Sequence, residues 1–171
     1  ILKSLNIINN YDLISLSAMS DILPTLFIKK LLNKVDKNKI IYFSICFDGN
    51  IKWASSHKYD KYILTMFNKN QETNKSSGYA VGAKSIKLIR EHSMKKKYNF
   101  QIEDSSWQLN SYNESSKYFQ KMYLDTIYKP LKKDDITDKD MLSEWRKVKL
   151  KDIMAGKSKI VVGHKDILIL T

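Results

Sequence analysis

Two short, mostly apolar runs stand near the start of the chain, one from Tyr11 to Ser17 and one over residues 40–47. Nearly continuous apolar runs of this length are typical of strands that are buried on both faces of a sheet. Between them, apolar residues recur with a helical period over residues 22–35. A strand, a helix and a second strand in this order predict a right-handed βαβ unit.

Cap and turn residues flank these elements. Ser20 or Asp21 is the expected N-cap of the first helix, and Pro24 suits its first turn. Asp-Gly-Asn at residues 48–50 is a turn signal, so residues 51–53 are expected to form a short return strand.

The rest of the chain alternates between helical and extended patterns. We predict that Pro130 ends the helix that precedes it, whose buried face would include Tyr118, Phe119 and Met122. The alternation indicates an α/β protein with a largely parallel sheet. The predicted helices cover residues 58–71, 83–96, 115–128 and 138–154, and the predicted strands cover residues 100–103 and 159–170.

Composition limits the class of protein. The chain has 171 residues, 43% of them hydrophobic, which is the size of one ordinary globular domain. Its one cysteine, Cys46, can form no internal disulfide, and no apolar run is long enough to span a membrane. We therefore expect a cytoplasmic protein of one domain, residues 1–171, that does not enter a membrane.

The net charge of +12 raises the question of nucleic acid. However, only two of the 30 basic residues are arginines, Arg90 and Arg146, and lysine lacks the planar fork that recognises phosphates and guanine edges. A solvated, lysine-rich surface is therefore the favoured interpretation. A basic α/β nucleic-acid-binding module, with tyrosine and tryptophan as stacking platforms, stays as the alternative function.

Common catalytic signatures are missing. The sequence has no G-x-S-x-G, no H-E-x-x-H, no phosphate-binding P-loop and no G-x-G-x-x-G. The three histidines, His57, His92 and His164, are far apart along the chain and are expected to have surface or packing roles. No metal site is predicted, and the residues assign no catalytic base.

Four segments in register give a more specific indication. They are YDLISLSAMSD at residues 11–21, FNKNQETNKSSGYAVG at residues 67–82, SSWQL at residues 105–109 and VVGHKDIL at residues 161–168. In this order and spacing they resemble a family of bacterial class I methyltransferases that use S-adenosylmethionine. The resemblance implies methyl transfer to a small molecule. The loop matches the family pattern at Asn68, Gln71, Lys75, Gly78, Ala80 and Gly82.

The resemblance also implies a site. The turn at Ser17, Ala18 and Met19, with Asp21 after it, would lie beside the cofactor at the carboxyl end of its strand. Asn68, Gln71, Gly78 and Trp107 would bind the substrate. Asp21 is the nearest candidate for a general base, although capping of the first helix is its favoured role. Gln108 replaces an arginine of the family pattern, which argues against anion binding at that position.

The family's glycine-rich cofactor turn and acidic ribose-binding residue have no counterpart in this chain. The resemblance therefore implies a C-terminal half of the fold, with the fourth to seventh strands of a Rossmann-like sheet in the order fourth, fifth, seventh, sixth and the last strand antiparallel. We expect such a fragment to be inactive by itself and to self-associate through the strand from Tyr11 to Ser17. An interaction fragment without activity is a third interpretation.

Overall fold

The computed structural model describes residue 5, residues 7–74 and residues 78–171. These residues divide into two compact units, each built from separate stretches of chain. The first unit consists of the described residues up to Gly49 and those within Gln71–Ser106 and Gly163–Thr171. The second consists of Asn50–Asn70 and Trp107–Val162.

Strands and helices follow each other along the chain, with short 3-10 turns at Ile8–Asn10 and Gly82–Lys84. The strands are β1 (Leu13–Ser17), β2 (Ile40–Trp53), β3 (Asn99–Asp104), β4 (Trp107–Asn110) and β5 (Lys159–Leu170). The helices are α1 (Thr25–Lys34), α2 (Asp60–Gln71), α3 (Ser85–Lys96), α4 (Glu114–Lys133) and α5 (Lys139–Met154).

The five strands form one mixed sheet in the order β1-β2-β5-β3, with β4 also paired to β5. β1 runs parallel to β2, whereas β5 runs antiparallel to both β3 and β4. β5 also runs antiparallel to β2, because Thr171 N donates to Lys39 O near one end and Ala54 N donates to Lys159 O near the other. The α/β class is confirmed, but the expectation of a largely parallel sheet is wrong. Assignment of these strands to the fourth to seventh of a larger sheet stays a prediction.

The core of the first unit lies between its helices and strands. Ile28 of α1, Ile41 of β2, Ile89 of α3 and Ile167 of β5 are fully buried in one apolar cluster. Ile41 lies in the apolar run from which β2 was predicted, and Ile28 lies within the segment whose helical period predicted α1. This core also contains Leu16 near the carboxyl end of β1 and Phe43 in the first half of β2.

In the second unit, α4 and α5 pack on each other. Leu124 and Ile127 of α4 are buried, as are Leu142 and Trp145 of α5. The guanidinium of Arg146 donates to Asp125 Oδ1 at 3.0 Å, which ties the two helices together at the edge of this core.

Helix α1 begins later than expected. Neither Ser20 nor Asp21 caps it; its N-cap is Pro24, with extended backbone and no capping side chain. The Ser20 hydroxyl lies 3.2 Å from the Ser85 hydroxyl. The side chain of this predicted N-cap therefore forms a hydrogen bond with α3 and not with the start of α1. Capping as the role of Asp21 is therefore wrong.

β2 also departs from the prediction, because Asp-Gly-Asn at residues 48–50 makes no hairpin turn. The strand continues to Trp53, with positive φ angles at Ile45 and Gly49. Pairing with β5 outweighs the local turn preference. A Cβ at Gly163 of β5 would overlap the Asp48 carboxylate, so only glycine lets the Asp48 side chain lie this close to the β5 backbone.

Helix α4 runs through Pro130 to Lys133. Proline removes one backbone donor, but the next residue, Leu131, is completely buried, and its packing favours continuation of the helix. The predicted buried face is wrong at Tyr118, Phe119 and Met122, which are exposed. The short strand β4 pairs with β5 in a register that places Trp107 opposite Val162. No strand was predicted there from the sequence.

Candidate functional site

The turn that follows β1 is hydrogen-bonded to a segment some sixty residues later in the same unit. The amide of Gly82 donates to Asp21 O at 2.8 Å, and the amide of Val81 donates to Leu23 O at 3.0 Å. Pro24 and Ala80 form an antiparallel bridge beside these bonds. Two of the segments singled out in the sequence therefore meet at the carboxyl end of β1.

The cofactor-binding residues expected from the sequence are all in this turn. Ser17, Ala18 and Met19 are exposed, and Asp21 is half-buried. Ala18 has a positive φ of 49°, and its amide donates to Ser44 O of β2 at 2.9 Å. The turn therefore presents three small or flexible side chains to solvent at the edge where ligands of open α/β sheets bind.

Two glycines shape the opposing segment. Gly82 has a φ of 61°, and a Cβ there would lie 2.9 Å from Glu72 Cγ. Gly78 has a φ of 121°, and a Cβ there would lie 3.3 Å from Pro24 Cγ. Both backbone conformations favour glycine; Gly78 faces Pro24, which follows the β1 turn, whereas Gly82 faces Glu72. Gly78 is thus placed near the expected cofactor-binding turn.

Asp166 of β5 lies beside the first half of β2, close to the level at which β1 ends. Its carboxylate accepts hydrogen bonds from the Tyr42 hydroxyl at 2.5 Å and from the Ile45 amide at 2.8 Å. Burial acts to raise the pKa of Asp166, but the hydrogen bonds from Tyr42, Ile45 and Ser105, together with the electrostatic effect of His164, hold the pKa below its usual range. The same hydrogen bond raises the pKa of Tyr42. Asp166 thus holds a charge at the point where β2 bends at Ile45.

Cys46, beside this bend, is a buried thiol. Burial is the largest cause that raises its pKa to about 11; the hydrogen bond with Ser20 opposes it, and the charges of Asp21 and Asp166 act in the same direction as burial. The thiol is therefore protonated at neutral pH and unsuited to nucleophilic catalysis. Both carboxylates, Asp21 and Asp166, are therefore close enough to Cys46 to act on its thiol. The site combines two carboxylates with an exposed small-residue turn, an arrangement that suits a polar ligand with a positively charged group.

The expected substrate-binding residues are spread over the chain. Gln71, the last residue of α2, belongs with Gly78 to the first unit, whereas Asn68 and Trp107 belong to the second. Asn68 is half-buried on α2, and the Trp107 ring centroid lies 6.2 Å from that of Phe119. A pocket formed by Asn68, Gln71 and Trp107 stays a prediction. Lys75 of the loop pattern lies outside the described residues.

The histidines have packing or surface contacts. His164 is buried, with its ring centroid 6.0 Å from that of Phe47. His92 Nε2 lies 3.0 Å from Asn33 Oδ1, and burial together with nearby lysines lowers its pKa. Among the described residues, no group of three or more histidine, cysteine or acidic side chains could hold a metal ion. No helix in the described part of the chain is long and apolar enough to cross a membrane.

Sequence reasoning missed Tyr42 and Asp166 as site residues. Asp166 stands in the VVGHKDIL segment, but in the sequence Tyr42 is one aromatic in an apolar strand. The two residues are 124 positions apart, and only the placement of β5 beside β2 brings them together. In β5, the run Gly-His-Lys-Asp interrupts a strand that is otherwise mostly apolar. This interruption is the signal in the sequence that could have drawn attention to Asp166.

No protein-family model and no curated protein matches the chain. Among solved structures, it is similar to phosphoethanolamine N-methyltransferase 2 of Haemonchus contortus, in complex with phosphomonomethylethanolamine and S-adenosylhomocysteine (11% identity, TM-score 0.38). It is also similar to coclaurine N-methyltransferase bound to N-methylheliamine and S-adenosylhomocysteine (12% identity, TM-score 0.33). The matches cover 95% and 94% of this chain but only 34% and 46% of those proteins. At such identities and TM-scores, the likeness assigns neither a family nor a function.

Proposed function

We propose that this chain is the C-terminal half of a class I methyltransferase that transfers a methyl group from S-adenosylmethionine to a small molecule. The observation that carries the proposal is the hydrogen bond from Gly82 N to Asp21 O. It joins two of the four sequence segments that resemble the family, at the carboxyl end of a parallel strand. The charges of Asp21 and Asp166 add a reason to expect a ligand with a cationic centre.

In the proposed reaction, a nucleophile of the acceptor attacks the sulfonium methyl carbon, and the carbon–sulfur bond breaks to leave S-adenosylhomocysteine. The sulfonium is already activated, so the protein mainly orients the two molecules and excludes water. Ser17, Ala18 and Met19 would border the cofactor, and Asp21 would hold a charge beside it. Asn68, Gln71, Gly78 and Trp107 remain the proposed substrate-binding residues.

The test is methyl transfer from radiolabelled S-adenosylmethionine, measured for this chain together with its upstream-encoded segment. Substitution Asp21→Asn should lower the rate about tenfold or more if the carboxylate borders the reacting molecules. Asp12→Asn is the matched control, since Asp12 is exposed just before β1 and its carboxylate forms an ion pair with Lys39. Equal rates for both variants would remove Asp21 from the site.

A second measurement concerns the isolated chain. In this fold, most of the contacts that bind the cofactor come from a glycine-rich turn and an acidic residue that binds the ribose. The sequence has neither. Titration calorimetry should therefore find S-adenosylmethionine binding weaker than about 10 µM, or roughly 7 kcal/mol. Tighter binding would contradict the proposal that this chain is half of the fold.

The exposed aromatic side chains of α4 favour a second candidate function. Tyr118 is 65% exposed and Phe119 is 46% exposed, with Lys121 exposed on the same helix. Exposed rings beside lysines can stack on the bases of single-stranded nucleic acid. If this is the function, binding to an oligonucleotide should weaken steeply with salt, and Tyr118→Ala should reduce it. Salt-independent or undetectable binding would exclude it.

A further inference from the structure

An open groove of about 950 Å³ runs along α3 in the first unit. Five apolar side chains line it: Ala83 just before α3, Ile86 and Met94 from α3, and Phe100 and Ile102 from β3. Met94 is 57% exposed, so the apolar lining is open to solvent. The volume is in the range of small-molecule binding sites. None of the residues that line this α3 groove belongs to the site at the turn after β1.

The α3 groove is lined by three cations, Lys87, Arg90 and Lys165, and by two carboxylates, Asp48 and Glu91. Lys87 lies 3.8 Å from Glu91, and Lys165 lies 2.9 Å from Asp104, so both lysines have a carboxylate partner. Arg90 also lines the groove, is exposed, and has no ion pair with any residue that the structure describes. Its guanidinium therefore offers parallel N–H donors beside an apolar surface.

We propose that the α3 groove binds a single-chain amphipathic carboxylate, of the class of medium-chain fatty acids. The carboxylate accepts two hydrogen bonds from the Arg90 guanidinium, and the alkyl chain lies along Met94, Phe100 and Ile102. The groove is concave, and Arg90 gives it one head-group position, so the proposed ligand is a free acid and not the surface of a bilayer. This site is independent of the proposed methyl transfer.

The test is calorimetric titration of the whole 171-residue chain with decanoate. Saturable binding of one decanoate is expected, with none for decyltrimethylammonium, which has the same tail and the opposite charge. Arg90→Gln should weaken decanoate binding about tenfold or more. Lys95→Gln is the matched control, because Lys95 is exposed on the same helix but does not line the groove. Thermal unfolding of each variant checks that it is folded.

A second variant probes the apolar part of the α3 groove. Met94→Glu is tolerated by the fold because the side chain is mostly exposed, but it places a carboxylate where the alkyl chain should lie. It should abolish decanoate binding. The proposal is overturned if decyltrimethylammonium binds as well as decanoate, or if Arg90→Gln leaves the affinity unchanged. It is also overturned if decanoate fails to bind. In that case, binding of phosphatidylglycerol vesicles, or a dimer that Met94→Glu disrupts, would show what occupies this face instead.

Discussion

The ammonium of Lys149 lies 2.9 Å from Asp60 Oδ1 inside the second unit, with the lysine side chain only 1% exposed. Lys149 also donates to Ser55 O at 2.7 Å and lies 4.9 Å from the centroid of the Trp53 ring. Asp60 accepts two further hydrogen bonds, from Trp145 Nε1 and from His57 N. A buried cation is thus held by one carboxylate that also fixes the start of α2.

Removal of Asp60 should destabilise the protein more than removal of Lys149. Asp60→Ala leaves a buried ammonium without its counter-ion and frees two other donors, a change expected to cost about 3–5 kcal/mol. Lys149→Met keeps the apolar stem and leaves Asp60 bonded to Trp145 and His57, so its cost should be less than half as large. Urea unfolding measures both values.

The control for this comparison is Lys151→Met on the same helix, where the side chain is exposed. It should change the free energy of unfolding by about 0.5 kcal/mol at most. A larger loss for Lys149→Met than for Asp60→Ala would show that the ammonium, and not the carboxylate, organises this part of the second unit.

The stability difference between wild type and Lys149→Met should depend on pH. Burial lowers the pKa of Lys149 below 10.5, although Asp60 opposes this shift. In the pH range between the folded pKa and 10.5, the unfolded chain binds more protons at this residue, so wild-type stability should rise with pH. Urea unfolding of both proteins at several pH values up to 10.5 measures the difference. A constant difference throughout would contradict the lowered pKa.

Gly82→Ala should destabilise the first unit for two separable reasons. A φ of 61° costs a non-glycine residue roughly 1–2 kcal/mol, and the new Cβ would press on Glu72 Cγ. The double variant Gly82→Ala, Glu72→Ala should recover only the steric part. Glu72→Ala alone should have little effect, because its ion pair with Lys84 is solvent-exposed. Full recovery in the double variant would show that backbone strain is negligible.

Asp166→Asn should lower the pKa of Tyr42. The present pKa is raised first by the hydrogen bond to Asp166 and then by burial, so loss of the carboxylate charge removes the larger cause. Ultraviolet titration of tyrosine ionisation measures this shift, and Tyr42→Phe identifies which of the ten tyrosines is responsible. If the pKa of Tyr42 stays the same, Asp166 does not hold this side chain in solution.

The outer edge of β1 should promote self-association. β1 is the terminal strand of the sheet order, and neither proline nor lysine interrupts it. Leu13 at this edge is 55% exposed. Leu13→Lys should therefore reduce concentration-dependent association in sedimentation velocity. Leu26→Lys is the matched control, since Leu26 is 58% exposed but lies on α1. A concentration-independent wild-type monomer with sharp, cooperative unfolding would refute this prediction.

Most elements were predictable because their signal is local. β5 was predicted with its observed bounds, and α5 with Asp138 at its start, which is the observed N-cap. Hydrophobic spacing and capping residues act within a few positions, so one sequence contains all the information needed. The Ser17–Asp21 turn and its place after a strand were predictable for the same reason.

The failures lie where distant contacts outweigh local preference. Asp-Gly-Asn did not make a turn because β5 pairs with the whole length of β2, and Pro130 did not end α4 because Leu131 is buried after it. Local propensities are worth a few kcal/mol at most, and tertiary packing can exceed them.

By itself, the sequence determined the α/β class, the succession of helices and strands, and which segments carry polar and glycine residues after a strand. Only the tertiary structure decided that Asp21 meets Gly82, that Tyr42 meets Asp166, and that Lys149 is buried on Asp60. The physical reason is that periodicity reports which face of an element is buried, not which distant element covers it. Strand order in the sheet sets those partners, and it depends on the free energy of the whole packed chain.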